Sequence, residues 1–500
     1  MQSTQAIDGE LSALAPTGVC GLDAVLGGGL TRNRLYLVEG MPGAGKTTLA
    51  LQFLLNGRDR GEPVMYIALS ETEEELRSVA LSHGWSLDGV DIREMVSPAQ
   101  ALDPQEQLTV FYPSEVELSE TTRSILVEVE QLKPTRLVLD SLSELRLVAG
   151  QPLQYRRQVL ALKQYFAGHR CTVIVLDDAE HELQVQSIAH AVVRLEQLYP
   201  EYGGERRRMR VVKYRGMAFR SGYHDFVIRR GGLQVFPRVV AADTRAKVGH
   251  VRFSSGVEQL DTLLGGGLES GTSTLISGAA GSGKSSLAAQ FVHAAVCRGQ
   301  RAAMFVFDES ISTLISRTAG LGIDLEPHIR EQRLLVKQID PAEMSPGEFA
   351  YSVAQAAEQD RAAIIVIDSL NGYLNAMPEE HFLTIQLHEL LMFLGQQGVA
   401  TLLVGVQHGL VGGPMTTPVD ASYLADAVIL LRYFEALGEV HQAISVVKKR
   451  GGNHERTIRE FRLVPGEIRV GAPLREFRGV LTGVPVYESS NLPSLEGRAI

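Results

Sequence analysis

The stretches GMPGAGKTT (40–48) and GAAGSGKSS (278–286) both read G-x-x-x-x-G-K-[ST], and that pattern points to the fold class. Glycines at this spacing let consecutive backbone N–H groups turn inward around phosphate oxygens. An apolar run, RLYLVEG or STLISG, precedes each stretch, and a helix-forming run, TLALQFLLNG or SLAAQFVHAA, follows it. A strand, a glycine-rich turn and a helix in that order aim the helix dipole at a bound anion. Gly40, Gly43, Ala44, Gly45 and Thr48 thus form one candidate phosphate loop around Lys46 and Thr47. Gly278, Gly281, Ser282, Gly283 and Ser286 form a second around Lys284 and Ser285. Each lysine is placed to reach the β- and γ-phosphates of ATP, and the Thr47 and Ser285 hydroxyls to bind Mg²⁺.

Outward from the two loops, the chain repeats itself. Lys46 and Lys284 are 238 positions apart, and so are Asp23 and Asp261 in GLDAVLGGGL (21–30) and QLDTLLGGGL (259–268). LVLDSL (137–142) answers IVIDSL (365–370), and KYRG (213–216) answers KKRG (448–451), in the same order. Two divergent copies of one domain account for this, with surface loops absorbing the drift in spacing. In the first copy RLYLVEG, VMYIALS, RLVLDS and TVIVLDD read as buried strands; STLISG, AAMFVFD, AIIVIDS and ATLLVGV match them in the second. Alternation with amphipathic stretches predicts an α/β chain of two tandem P-loop domains, each a mainly parallel sheet flanked by helices. The expected divisions are a tail over 1–15, a first domain over 16–245, a second over 246–478 and a tail over 479–500. The join falls in the polar stretch AADTRAKVGH (241–250).

The totals narrow the class further. Five hundred residues exceed what one hydrophobic core usually serves. No window approaches the ~20 apolar residues of a membrane-spanning helix, and the N-terminus lacks the pattern of a secretory signal. Cys20, Cys171 and Cys297 have no C-x-x-C spacing, which argues against a zinc site or disulfide framework and fits a reducing cytoplasm. A net charge of −10 argues against a general attraction to nucleic acid or to a membrane surface. The basic run GERRRMR (204–210) is short and lacks interleaved aromatics, so it reads as a solvated face. A nucleic-acid-dependent motor is the competing class, and stimulation by single-stranded DNA would mark it.

Asp140 and Asp368 each end an apolar strand and precede Ser-Leu, where a carboxylate can hold the magnesium's water shell. Ser70-Glu71 and Asp308-Glu309 follow the second strand of each copy. Hydrolysis needs a group that orients the attacking water, and Glu71 and Glu309, with Asp308 beside the latter, are the catalytic candidates. The competing reading of Glu71 is helix capping, since Thr72-x-x-Glu75 forms a capping box.

Together these residues resemble the KaiC family, RecA-type ATPases of the circadian clock and their relatives. The resemblance rests on the LGGGL runs, the acidic pairs, HGW (83–85), the DSL strands, K-x-R-G and IREF (458–461). It spans roughly residues 15–480. It implies RecA-like domains, ATP hydrolysis, and a homohexamer with nucleotide between neighbouring subunits. By the same resemblance Lys213, Tyr214 and Arg215, with Lys448, Lys449 and Arg450, belong to the nucleotide sites. Their cations would reach the adjacent protomer's phosphates, an arginine-finger role. Ser82, before HGW, joins the first nucleotide site, and Ser422 aligns with a phospho-acceptor of the family. That implies a serine/threonine autokinase and a regulatory protein partner, unidentified. Ser70 and Tyr423 depart from the family, whose members carry glutamate and threonine at those positions.

Overall fold

The computed structural model describes residues 14–95, 113–149, 151–178, 183–201, 203–241, 249, 251–375, 382–407, 423–436, 438–480 and 486–487. The chain divides into two compact units, Met1–Arg238 and Val239–Ile500.

Each unit holds one nine-stranded sheet, and the two sheets share a topology. In the first, Asp91–Glu94, Val64–Ala68, Arg136–Asp140, Thr172–Asp177, Leu35–Glu39 and Ala191–Leu198 lie side by side in that order, all parallel. Arg206–Tyr214, His224–Arg229 and Gly232–Phe236 extend it antiparallel. In the second, the parallel order is Leu334–Gln338, Ala302–Val306, Ile364–Asp368, Ala400–Val406, Ser273–Gly278 and Ala427–Ala436. Glu439–Lys449, Arg459–Val464 and Glu467–Pro473 form its antiparallel extension. The eight strands expected from the apolar runs are all present.

Their composition explains their place. Leu35–Glu39, Val64–Ala68, Arg136–Asp140 and Thr172–Asp177 are buried at every residue, as parallel strands covered on both faces must be. Two apolar layers sandwich the first sheet: one around Phe53 and Tyr66, the other around Phe166 and Leu139. The second sheet is packed likewise, around Phe291 on one side and Phe349 on the other.

The repeated GLDAVLGGGL and QLDTLLGGGL runs are structural. Asp23 accepts from the Thr17 amide at 2.9 Å, and Asp261 from the Ser255 amide at 2.8 Å. The three glycines that follow all take positive φ, 74°, 119° and 133° at Gly27–Gly29, which only glycine adopts without strain. This turn feeds the strand that carries the phosphate loop.

Among the described residues, no helix is long and apolar enough to cross a membrane. The GERRRMR run lies on and before the strand Arg206–Tyr214, where acids answer its charge. Arg207 pairs with Glu205 at 2.6 Å and Arg208 with Glu196 at 2.9 Å. Arg208 also lies 4.1 Å over the Tyr223 ring.

Candidate nucleotide sites

Both G-x-x-x-x-G-K-[ST] stretches fold as strand, turn and helix. The helices Lys46–Asp59 and Lys284–Cys297 start at Gly45 and Gly283, which stand at φ 100° and 95°. A Cβ at Gly45 would come within 2.6 Å of Ile228 Cδ1, and one at Gly283 within 2.8 Å of Phe461 Cε1. The positive φ favours glycine at both, and at Gly283 the Phe461 ring leaves little room for a side chain.

Each lysine folds back on its own loop. Lys46 Nζ donates to the carbonyls of Gly40 at 2.7 Å and Met41 at 3.1 Å, and lies 2.6 Å from Asp178. Lys284 Nζ donates to the Ala279 carbonyl at 2.7 Å. Burial lowers the Lys284 pKa, and Asp368 opposes that shift.

The structure brings the predicted magnesium ligands together. Thr47 Oγ1 donates to Asp140 Oδ2 at 3.3 Å, and Ser285 lies close enough to Asp368 to lower its pKa. Tyr66 donates to the same Asp140 oxygen at 2.5 Å, a partner that the sequence reading missed. Burial raises the Asp140 pKa, while the Tyr66 hydrogen bond and Lys46 pull it down. Burial pushes Asp368 up to about 6, against the pull of Ser285. Asp368 Oδ2 and Ser282 Oγ are buried with no hydrogen-bond partner. Those orphaned oxygens, beside a lysine and a hydroxyl, suit a site built for a bound cation and phosphate. The peptide after each aspartate, Asp140–Ser141 and Asp368–Ser369, is cis.

The candidate water-orienting acids differ between the copies. Glu71 is half-buried, its Oε2 has no partner, and burial followed by Asp140 pushes its pKa up to about 6. The capping box also forms, but Thr72 and Glu75 make it, which leaves the Glu71 carboxylate uncommitted. Glu309 instead pairs with Arg317 on the helix Ile311–Ala319, at 2.6 Å. The same guanidinium donates to Ser286 Oγ at 2.8 Å. Asp308 accepts from Ser369 Oγ at 2.5 Å. A cavity of about 600 Å³ opens beside the second loop, lined by Lys284, Ser285, Ser286, Arg317, Leu321 and Pro465. Arg317 escaped the sequence reading because its only signal is a position two helical turns beyond Glu309.

In the first copy His83 Nε2 lies 3.5 Å from Thr48 Oγ1, bringing the HGW segment to the loop helix. The adjacent Ser82 hydroxyl is exposed and donates to the Val79 carbonyl at 2.7 Å.

The K-x-R-G residues lie elsewhere. Lys213 and Tyr214 pair with Val192 and Ala191, at the start of Ala191–Leu198, and Ala191 in turn pairs with Tyr36. They sit at the opposite end of the sheet from the first phosphate loop, which follows Glu39. Lys448 and Lys449 pair with Val428 and Ala427, and Ala427 with Thr274, again the far end from Gly278. Arg215, just beyond its strand, is exposed and donates to the Ser187 carbonyl at 2.6 Å. Arg450 is exposed, pairs with Asp426 at 3.3 Å and donates to the Tyr423 carbonyl at 2.8 Å.

Tyr214 and Lys449, expected at the nucleotide sites, turn inward. Tyr214 is buried and donates to the Gly29 carbonyl at 3.0 Å, while the Thr31 amide donates to it at 2.8 Å. Lys449 donates to the Leu264 carbonyl at 2.6 Å and meets Glu269 at 3.2 Å. Both brace their own glycine turn. Ser422 lies outside the described residues.

A family model described as "ATPase: KaiC" matches residues 15–240 and again 253–475. The circadian clock protein KaiC3 of Synechocystis sp. is 28% identical over 487 residues, covering 95% of each chain. The circadian clock oscillator protein KaiC of Thermostichus vulcanus is 27% identical over 481 residues, covering 94% of this chain and 91% of its own. Its namesake in Synechococcus elongatus is 28% identical over the same length and shares. Two tandem matches on two sheets of one topology, each with its phosphate loop, make this chain a member of the KaiC family of ATPases.

Proposed function

We propose that this chain is a nucleotide-driven switch of the clock-signalling type, binding Mg-ATP in both units and hydrolysing it with cations lent by an adjacent copy. In each unit the loop lysine and the inward-turned backbone amides of the glycine-rich turn bind the phosphates. Thr47 with Asp140, and Ser285 with Asp368, hold Mg²⁺. That ion supplies charge neutralisation on the β- and γ-phosphates. Glu71 and Glu309 orient water in line with the γ-phosphate, and Asp308 supports Glu309. Lys213 and Arg215, and Lys448 and Arg450, serve the neighbour's phosphates in a closed ring of six.

The observation that carries this reading is the position of the two Lys/Arg pairs at the end of each sheet remote from that unit's own phosphate loop. Cations there cannot serve the nucleotide of their own unit, whereas a head-to-tail ring delivers them to the next one. Ser422 is the proposed acceptor of an autokinase step across the same boundary. The exposed Tyr423 beside it, held by Arg450, supports that placement. An unidentified protein partner reads the nucleotide state in the cytoplasm, a compartment in keeping with three free cysteines.

Mixing subunits tests the reading. Arg450→Ala and Lys284→Ala proteins each lose second-site hydrolysis alone, but random mixing gives roughly a quarter of interfaces both intact groups. Phosphate release recovering to that level supports catalysis across subunits. A concentration-independent active monomer, or no recovery on mixing, would sink it.

A further inference from the structure

The helix that begins at Lys284 ends in a second cluster of chemistry, remote from the phosphate loop. His293 and Cys297 stand four residues apart on Lys284–Cys297, so they share one face. His328, on the short helix Glu326–Arg330, faces them. Cys297 Sγ lies 3.5 Å from His293 Nε2 and 3.6 Å from His328 Nε2. One ligand atom from each of the three residues lies within 4.8 Å of the others. The imidazole rings meet edge-on, with centroids 5.9 Å apart at 67°, so they converge instead of stacking.

These separations match a coordination polyhedron. A tetrahedral zinc ion, about 2.3 Å from a thiolate and about 2.0–2.1 Å from an imidazole nitrogen, sets the two ligand atoms about 3.6 Å apart. Both Cys–His distances already have that value. We propose that His293, Cys297 and His328 form a Zn²⁺ site, with water in the fourth position.

The donor set favours zinc among the common divalent ions. Two imidazoles and a soft thiolate select it over Mg²⁺ or Ca²⁺, which prefer oxygen. Burial depresses both histidine pKa values, helped at His293 by the charge of His328 and at His328 by that of Arg333, which favours the neutral, metal-binding rings. Asp324 acts electrostatically on both rings. Binding converts Cys–SH to a zinc thiolate and releases one proton to solvent. Ligation of His328 through Nε2 would place the ring's proton on Nδ1, which has no protein acceptor among the described residues.

The site belongs to the second unit alone. A step of 238 residues back from His293 and Cys297 reaches Leu55 and Asp59, which cannot reproduce it. The ion would pin the phosphate-loop helix to the segment leading into the edge strand Leu334–Gln338. It escaped the sequence reading, which looked for C-x-x-C, because its ligands follow H-x-x-x-C and then a histidine 31 residues on.

Metal retention by the untagged full chain tests the proposal. After stripping with chelator and re-addition of Zn²⁺, gel filtration should leave one zinc per chain by elemental mass spectrometry. Cys297→Ser, His293→Gln and His328→Gln should each weaken binding by at least about 100-fold, with nucleotide stoichiometry unchanged as the check on folding. Co²⁺ in place of zinc should give a thiolate-to-metal charge-transfer band that Cys297→Ser abolishes. No retained zinc, retention by any of the three variants equal to that of the wild type, or a cobalt spectrum without the thiolate band would each overturn it.

Discussion

Arg317 grips Glu309 through two contacts, Nη2 to Oε1 at 2.6 Å and Nε to Oε2 at 3.3 Å. At the same register the first copy has Val79, and Glu71 keeps a buried, unpartnered oxygen. The two sites thus share a phosphate loop and differ in what holds the acid above it.

Releasing that grip should speed the second site. The ion pair is partly exposed, so it is worth about 1 kcal/mol at most, and Arg317→Gln should raise phosphate release up to about fivefold. Glu309→Gln should lose about 100-fold or more. Both are measured in a Lys46→Ala background. A fall in rate with Arg317→Gln would assign the guanidinium to the nucleotide instead.

Stoichiometry checks the two loops. Saturating Mg-ATP should place two nucleotides on each chain, and Lys46→Ala and Lys284→Ala should each remove one. Equilibrium dialysis or calorimetry reads the count, and a wild-type value of one would end the two-site reading.

Glu71 gives a pH signature in the nucleotide-free protein. Its pKa is raised from 4.5 to about 6, so between those values the folded chain holds a proton that the unfolded chain has released. Its contribution to stability therefore declines as pH rises through that window and is lowest above it. Glu71→Gln should stabilise the first unit by about 1 kcal/mol at pH 7.5, allowing for solvent screening, and by nearly nothing at pH 4.5. Denaturant midpoints at the two pH values measure the difference; an equal gain at both would assign the effect to packing.

Intact-mass and peptide analysis after incubation with Mg-ATP addresses the acceptor. Phosphate on Ser422 that vanishes in both Ser422→Ala and Lys284→Ala is the expected outcome. An unmodified chain with a fully occupied second site would leave hydrolysis as the only chemistry.

Much of this architecture was legible because it is local or repeated. The eight buried strands announced themselves as apolar runs, and the loops as a spacing that few other structures need. The antiparallel extensions were harder to read, since strands such as Arg206–Tyr214 mix exposed and buried positions. Arg317 and the His293–Cys297–His328 cluster depend on helices brought together only by folding. The inward turn of Tyr214 had a signal that went unused: neighbouring residues in a strand face opposite sides, so Lys213 and Tyr214 cannot point the same way.

That inward turn sets a length. Tyr214 and Lys449 tie the cation-bearing end of each sheet to the glycine turn, and from there one strand, Leu35–Glu39 or Ser273–Gly278, runs to the phosphate loop. The five and six residues of these strands measure about 17 Å and about 20 Å. In a ring of the proposed kind, each unit then serves as a ruler between the cations it lends and the nucleotide it keeps. The step from one nucleotide to the next would be set in part by a single folded unit, and a substitution at Tyr214 or Lys449 would alter that spacing around the ring without touching a phosphate.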